Sequence, residues 1–371
     1  MLRFLTAGES HGPALTAIVE GLPAGLAVDT DEVNRELQRR QSGYGRGGRQ
    51  KIERDEVRVL GGLVQGRTIG APLALMVANR DWENWREREV PAWTRPRPGH
   101  ADLAGSIKYG LDDLRLVAER ASARETAARS AVGAVAKILL RAVNVVVGSY
   151  VEAIGPVVAQ VEEMPLEERL ARAAQSDVFC PEAGAAEQMR AAIDQAREAG
   201  DSLGGVIVVV AQGVPIGLGS HVHWDRRLDG RIAQALMGIQ AIKGVEIGPA
   251  FENARLPGTA VHDQLYPGSP YPRRTHNRAG GVEGGMSNGE PILARIAMKP
   301  IPTTVHPLDT VDLTTGEPVA TEYQRSDVCA VPAAAVVAEA MLAWVLADAL
   351  LESYGGDHME ALVRRVLDGR E

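Results

Sequence analysis

Cysteine is almost absent from these 371 residues: Cys180 and Cys329 stand alone, too few for a disulfide framework or a thiolate cluster holding zinc or iron and sulfur. Aromatics are scarce at 4%, which leaves little stacking surface for single-stranded nucleic acid. No uninterrupted apolar run reaches the roughly 18 residues of a membrane-spanning helix, and the first residues lack the basic-then-apolar pattern of a secretory signal. The expected location is cytoplasmic. Basic charge is not in excess either: the net charge of −8 has the wrong sign for a general nucleic-acid binder. Lysine is nearly missing, with five lysines among 40 basic residues. Arginine matches carboxylate and phosphate geometry, although a GC-rich coding bias accounts for the total.

What is present is an ordinary core-forming composition, 45% apolar and 24% charged, at a length for one large domain or two. An internal echo runs through it. Gly61, Gly62, Gly66, Gly70 and Pro72 recur at identical spacing as Gly280, Gly281, Gly285, Gly289 and Pro291, each set leading into an apolar strand pattern, 73–77 and 292–298. Gly21-Leu22-Pro23 is echoed by Gly213-Val214-Pro215, and helix patterns follow at 31–40 and 229–239. Two related halves are the simplest account; coincidence among 40 glycines is the other. Ser122 and Glu125 have capping-box spacing ahead of an apolar helical face running to about Ala142. A strand is expected at 144–151, two surface helices within 165–200, a buried strand at 206–210 and a long helix at 331–354. The order predicts an α+β fold: one catalytic domain of two similar subdomains, about 1–150 and 200–330, with a C-terminal helical segment 331–371.

Three polar islands carry the chemistry: 8–12 with Ser10 and His11, 120–126 with Arg120, Ser122 and Arg124, and 325–327 with Arg325 and Asp327. Histidine is the natural proton carrier near neutral pH and arginine the bidentate partner of oxyanions. The Ser122 helix end adds backbone N–H groups to that anion-binding set. The arm 79–102 holds Trp82, Trp85 and Trp93, then Arg95-Pro96-Arg97-Pro98-Gly99-His100, so prolines stiffen the presentation of His100 beside two guanidinium groups; a surface histidine is the alternative. Gly43, Gly45 and Gly48 satisfy G-x-G-x-x-G but follow a helix rather than a strand, which argues against a dinucleotide fingerprint. A loop carrying Arg39, Arg40, Arg46 and Arg49 onto an anion, or a solvated basic loop, fits better. His221 and His223 lack a third metal ligand nearby, so a half-exposed strand is the expected reading and no metal is assigned.

Taken together, GESHG at 8–12, RPGHAD at 97–102, ERASARET at 119–126, AIKGVEIG at 241–248, AGGVEGGMSNGEP at 279–291, KPIPTT at 299–304 and RSDVCAVP at 325–332 resemble the chorismate synthase family, collinearly over nearly the whole chain. The resemblance implies an anti-1,4-elimination of phosphate from 5-enolpyruvylshikimate 3-phosphate to give chorismate in the shikimate pathway. It implies reduced FMN, which lends an electron transiently and recovers it without net redox change. It also implies helices sandwiched between antiparallel sheets and a homotetramer. By matched position, His11 is similar to the proton donor to the departing phosphate, His100 to the histidine that protonates reduced flavin, and Asp327 to the carboxylate acting with the flavin as proton acceptor. Flavin contacts fall to Arg120, Ala121, Ser122, Gln240, Ala241, Gly284, Lys299, Pro300, Ile301, Pro302, Thr303 and Arg325. Arg40 and Arg46 match positions for NADPH, the candidate reductant, and Ser10, Arg46 and Arg124 fall to the substrate. Gln240 departs from the asparagine expected there.

Two other classes fit parts of the pattern. An NAD(P)H-linked flavin oxidoreductase would share the flavin site, and a non-catalytic anion or RNA binder would use the arginines but leave His11, His100 and Asp327 unexplained.

Overall fold

The computed structural model describes residues 1–48, 54–88 and 90–369; Arg49 lies outside them. Its core is two antiparallel sheets. The first runs Arg3–Ala7, Ala14–Glu20, Leu73–Ala78, Val57–Gly61 in spatial order. The second runs Ile242–Ile247, Ile292–Met298, Gly205–Gln212, Val146–Ile154, with Val157–Val158 as a short outer edge. The architecture is α+β. Leu73–Ala78 alternates buried and less buried residues, as expected of a strand with one face on the core. The stretch 207–211 of Gly205–Gln212 is buried throughout, because it lies between Val146–Ile154 and Ile292–Met298 in the sheet and under the helix Val331–Tyr354; the surface helices Leu166–Ala173 and Ala183–Glu198 pack on Val146–Ile154.

The glycine echo corresponds to matching hydrogen bonds. Leu63–Val64 pairs with Arg67–Thr68 as a small hairpin, and Val282–Glu283 with Met286–Ser287 as another. In the first, the Thr68 hydroxyl donates to the Pro23 carbonyl (2.6 Å) and accepts the Leu26 N–H (2.9 Å). In the second, the Ser287 hydroxyl donates to the Pro215 carbonyl (2.6 Å) and accepts the Leu218 N–H (2.8 Å). The helices Thr30–Gln41 and Leu228–Met237 occupy corresponding places in the order of elements.

Two helices fill the interior. Thr126–Arg141 packs on Ala14–Glu20 and Leu73–Ala78 of the first sheet, Val331–Tyr354 packs on Val146–Ile154 and Gly205–Gln212 of the second, and the two helices pack on each other. Val331–Tyr354 is long and apolar enough by length and composition to cross a membrane, but 94% of its most apolar stretch is buried inside the protein. A helix apolar on all sides suits a position surrounded by other elements. Alanine and glycine allow the two helices to cross closely: a Cβ on Gly133 would lie 2.2 Å from the Cβ of Ala340. Gly133→Ala is therefore expected to destabilise the fold by about 1–3 kcal/mol through overpacking, read as a lowered thermal midpoint; an unchanged midpoint would contradict the close crossing.

The Ser122–Glu125 capping box is not formed as expected. The helix Leu114–Ala121 ends at Ser122, a short 3-10 turn covers Ala123–Glu125, and the inner helix starts at Thr126. The Ser122 hydroxyl does accept the Arg124 N–H, at 3.2 Å. Glu125, however, is drawn to Thr6 and Arg129, because tertiary partners outcompete the local cap. His221 and His223 lie in a bend rather than a strand.

Candidate active site

A cavity of about 820 Å³ is lined by residues from both 10–126 and 239–337, within the usual range for small-molecule sites. Its walls come from the 8–12 loop between the first two strands, the end of Leu114–Ala121, the loop after Thr30–Gln41, the 79–101 arm, and the segments 239–241, 298–303 and 324–327. His11, His100 and Asp327 all line it. So do Ser10, Arg40, Arg46, Ala121, Ser122, Arg124, Gln240, Ala241, Lys299, Ile301, Pro302, Thr303 and Arg325. Arg120, Gly284 and Pro300 do not. Arg120 instead donates to the backbone carbonyls of Thr6 and Gly8, and Gly284 sits at the turn of the second glycine hairpin.

Charge is strongly biased. Among the described residues, seven Lys and Arg side chains face the cavity against three carboxylates, Asp81, Glu119 and Asp327. Arg40 and Arg124 share the fully buried Asp55: Arg124 Nη1 reaches its two oxygens at 2.7 and 2.8 Å, and Arg40 Nη1 lies 3.4 Å away. Arg40 also donates to Thr126 and Ala123. Burial above all pulls Arg40 down to about 10; Asp55 opposes this, and Arg124 and Arg46 add to it. Lys299 donates to the Gly99 carbonyl at 3.0 Å and has no carboxylate partner among the described residues. Arg88 lies over the Trp85 ring. Such a surface attracts an anion with more than one charged group.

The two histidines share a design. His11 Nδ1 meets Glu119 Oε1 at 2.8 Å while its ring lies against Trp85, centroids 4.1 Å apart. His100 Nδ1 meets Asp102 Oδ1 at 2.6 Å. Arg97 donates to Asp102 through Nε at 2.7 Å and Nη2 at 3.0 Å. Desolvation works against charge on Asp102, yet His100 and Arg97 outweigh it and hold the carboxyl well below the usual range. The arm bearing His100 is pinned just upstream, at residues 93–96. The Trp93 N–H donates to Asp113, and Thr94 and Thr310 tie the arm to the Asp309–Val311/Pro318–Ala320 hairpin.

Asp327 accepts from Arg46 Nη1 and from the Gly47 N–H, both at 2.6 Å. Glycine is required at 47, since a Cβ there would stand 2.7 Å from the Ser326 carbonyl oxygen. Gly45 and Gly47 thus serve close packing of this loop on 326–329, where Gly45 O accepts the Val328 and Cys329 N–H groups, and Gly43 packs on Pro332. Arg46 Nε is buried with no partner among the described residues, as is Gln240 Oε1. Ala241 holds φ +65° on the cavity wall, uncommon for a residue bearing a Cβ.

Glu119, Asp102 and Asp55 escaped the sequence reading. Glu119 and Asp102 lie within the quoted ERASARET and RPGHAD runs, so their signal was adjacency to the singled-out residues; Asp55 sits in a charged stretch with no motif. Cys180 and Cys329 are both buried free thiols.

The chorismate synthase family model matches residues 2–351. A chorismate synthase of Moorella thermoacetica is 56% identical over 381 aligned positions, covering 100% of this chain and 99% of that protein. One of Desulforudis audaxviator is also 56% identical, covering 99% and 98%. A solved structure, "Crystal Structure of Chorismate Synthase", superposes with a TM-score of 0.82 at 45% identity, covering 100% of this chain and 97% of that one. The chain belongs to the chorismate synthase family of carbon–oxygen lyases.

Proposed function

We propose that this cavity converts 5-enolpyruvylshikimate 3-phosphate to chorismate by anti-1,4-elimination of phosphate with reduced FMN bound. The observation that carries the reading is the convergence of His11, His100 and Asp327 on one strongly cationic cavity. The residues suit the cofactor. Ala118, Ala121, Ala330, Ala333 and Ala334 are small lining residues that leave room for a planar ring, and Arg46 Nε and Gln240 Oε1 are buried polar atoms with no partner among the described residues. Ala121, Ser122, Gln240, Ala241, Lys299, Ile301, Pro302, Thr303 and Arg325 would hold FMN. When bound, FMN supplies transient electron donation.

The remaining steps belong to the protein. Ser10, Arg46 and Arg124 hold the substrate's anionic groups. His11 delivers a proton from Nε2 to the departing phosphate oxygen, and the arginine charge stabilises what leaves. His100, its Nδ1 committed to Asp102, would have Nε2 free to exchange a proton with a bound flavin. Asp327 retains acceptor capacity beyond its two hydrogen bonds and would take up the substrate's proton. The resemblance also supports a homotetramer, a cytoplasmic location and NADPH as reductant at Arg40 and Arg46. The matching strand orders and hairpin hydrogen bonds favour two related subdomains with the two long helices sandwiched between their sheets.

Binding provides the test. Titration of the apoprotein with FMN, alone and with the substrate, is expected to give tighter FMN binding when substrate is present, because the two share one cavity. Substrate that weakens FMN binding would point to one overlapping subsite and overturn the reading.

A further inference from the structure

We propose that Glu119 is a positioning residue that fixes the tautomer of His11, an inference that rests on His11 as the proton donor. Glu119 Oε1 lies 2.8 Å from His11 Nδ1, and Oε2 lies 2.7 Å from the backbone N of the same residue. The Glu119 backbone carbonyl also accepts the Ser10 N–H, at 3.0 Å. One residue near the end of Leu114–Ala121 therefore grips Ser10 and His11, the two residues immediately before Gly12 in the loop.

An ionised carboxylate only accepts hydrogen bonds. Both groups facing it must then be donors, so the neutral His11 ring carries its proton on Nδ1. Trp85 against the ring sets its plane, and Nε2 is left to meet the ligand. In the proton transfer the Nε2–H bond of the imidazolium breaks and an O–H bond forms on the departing phosphate. The ring returns to the neutral Nδ1–H form, and the carboxylate neither gains nor loses a proton. Burial disfavours charge on Glu119, but the ring and backbone hydrogen bonds from His11 outweigh it and its carboxyl stays below the usual range. Two further histidine–carboxylate pairs among the described residues, His223 with Asp225 and His276 with Asp263, do not line the cavity.

Glu119→Gln tests this through donor and acceptor matching. An amide offers one acceptor and one donor group where two acceptors stood. The arrangement that satisfies every group puts the amide oxygen on the His11 backbone N–H and the amide NH₂ against Nδ1, which must then accept. The ring proton moves to Nε2. In long-range 1H–15N spectra of full-length protein labelled at histidine, with the ring neutral, wild type is expected to show a protonated Nδ1 and Glu119→Gln a protonated Nε2. Turnover should fall about 10²-fold in kcat, with KM changed less than about threefold. Glu119→Asp, which keeps a carboxylate, should retain the Nδ1 proton and regain about tenfold of the loss.

An unchanged tautomer in Glu119→Gln, or a loss confined to KM, overturns the proposal. If Glu119→Gln does not fold, a protonated Nε2 in Glu119→Asp does the same. His11→Ala run alongside separates the two claims. Wild-type turnover in His11→Ala removes the proton-donor reading itself, whereas loss in His11→Ala with full turnover in Glu119→Gln removes only the role of Glu119.

Discussion

His11→Ala is expected to lower kcat about 10²–10⁴-fold while leaving substrate affinity nearly unchanged. The expectation follows from where the ring stands. It lies on the cavity wall against Trp85, with Nδ1 spent on Glu119, so its removal deletes a proton donor and little binding surface. The anion-holding charges are elsewhere: Arg40 and Arg124 are anchored on Asp55, and Arg46 on Asp327. Single-turnover phosphate release and substrate titration on the same variant separate the two quantities. A drop in affinity with kcat intact would make His11 a binding residue.

The second large effect is on stability. Glu339 is the fully buried carboxylate of the largely apolar helix Val331–Tyr354, whose other two, Asp348 and Glu352, lie near its C-terminal end. Arg39 reaches its two oxygens at 2.8 and 2.9 Å, the Ser149 hydroxyl donates at 2.6 Å, and Lys137 pairs with it as well. Arg39 and Lys137 also hold Glu36, so Thr30–Gln41 is clamped to both interior helices just before Arg40 enters the cavity. Removing the carboxylate leaves the partly buried Arg39 and Lys137 with Glu36 as their remaining carboxylate, and Glu339→Gln is expected to cost about 2–3 kcal/mol through the lost charge-assisted hydrogen bonds.

Burial alone would raise the Glu339 pKa; Lys137 and Arg39 outweigh it and hold it well below the usual range. A carboxyl with a lowered folded-state pKa contributes stability that is fully present above the unfolded value of about 4.3 and is lost as pH falls through the folded one. Wild type should therefore lose stability progressively below about pH 4, and Glu339→Gln should show a shallower decline there. Parallel decline in the two proteins, measured by chemical denaturation across that range, would show that the network does not set acid stability.

Much of the fold was written locally. Val331–Tyr354 and Ile292–Met298 appear at the bounds their apolar patterns predict, because continuous burial leaves a signal in every residue. The glycine echo was legible because hairpins of this shape need the same turn residues at the same spacing. What escaped depends on distance in sequence. Glu125 reads as a cap by spacing, yet Thr6, 119 residues away, takes its carboxylate. Arg120 and Gly284, matched by motif, lie outside the cavity lining, and motif matching does not see that Arg120 turns back to the first strand. The carboxylates behind the two histidines were in plain view as letters, but only the folded loops bring Glu119 onto Nδ1 from 108 positions away.

The most direct test of the account is anaerobic turnover of 5-enolpyruvylshikimate 3-phosphate with photoreduced FMN, following chorismate absorbance, phosphate and flavin oxidation in one cuvette. The account predicts chorismate and phosphate in equal amounts over many turnovers, no net oxidation of the flavin, and no product with oxidised FMN alone. Phosphate release that ignores the flavin's redox state, or flavin consumed in step with product, would contradict it.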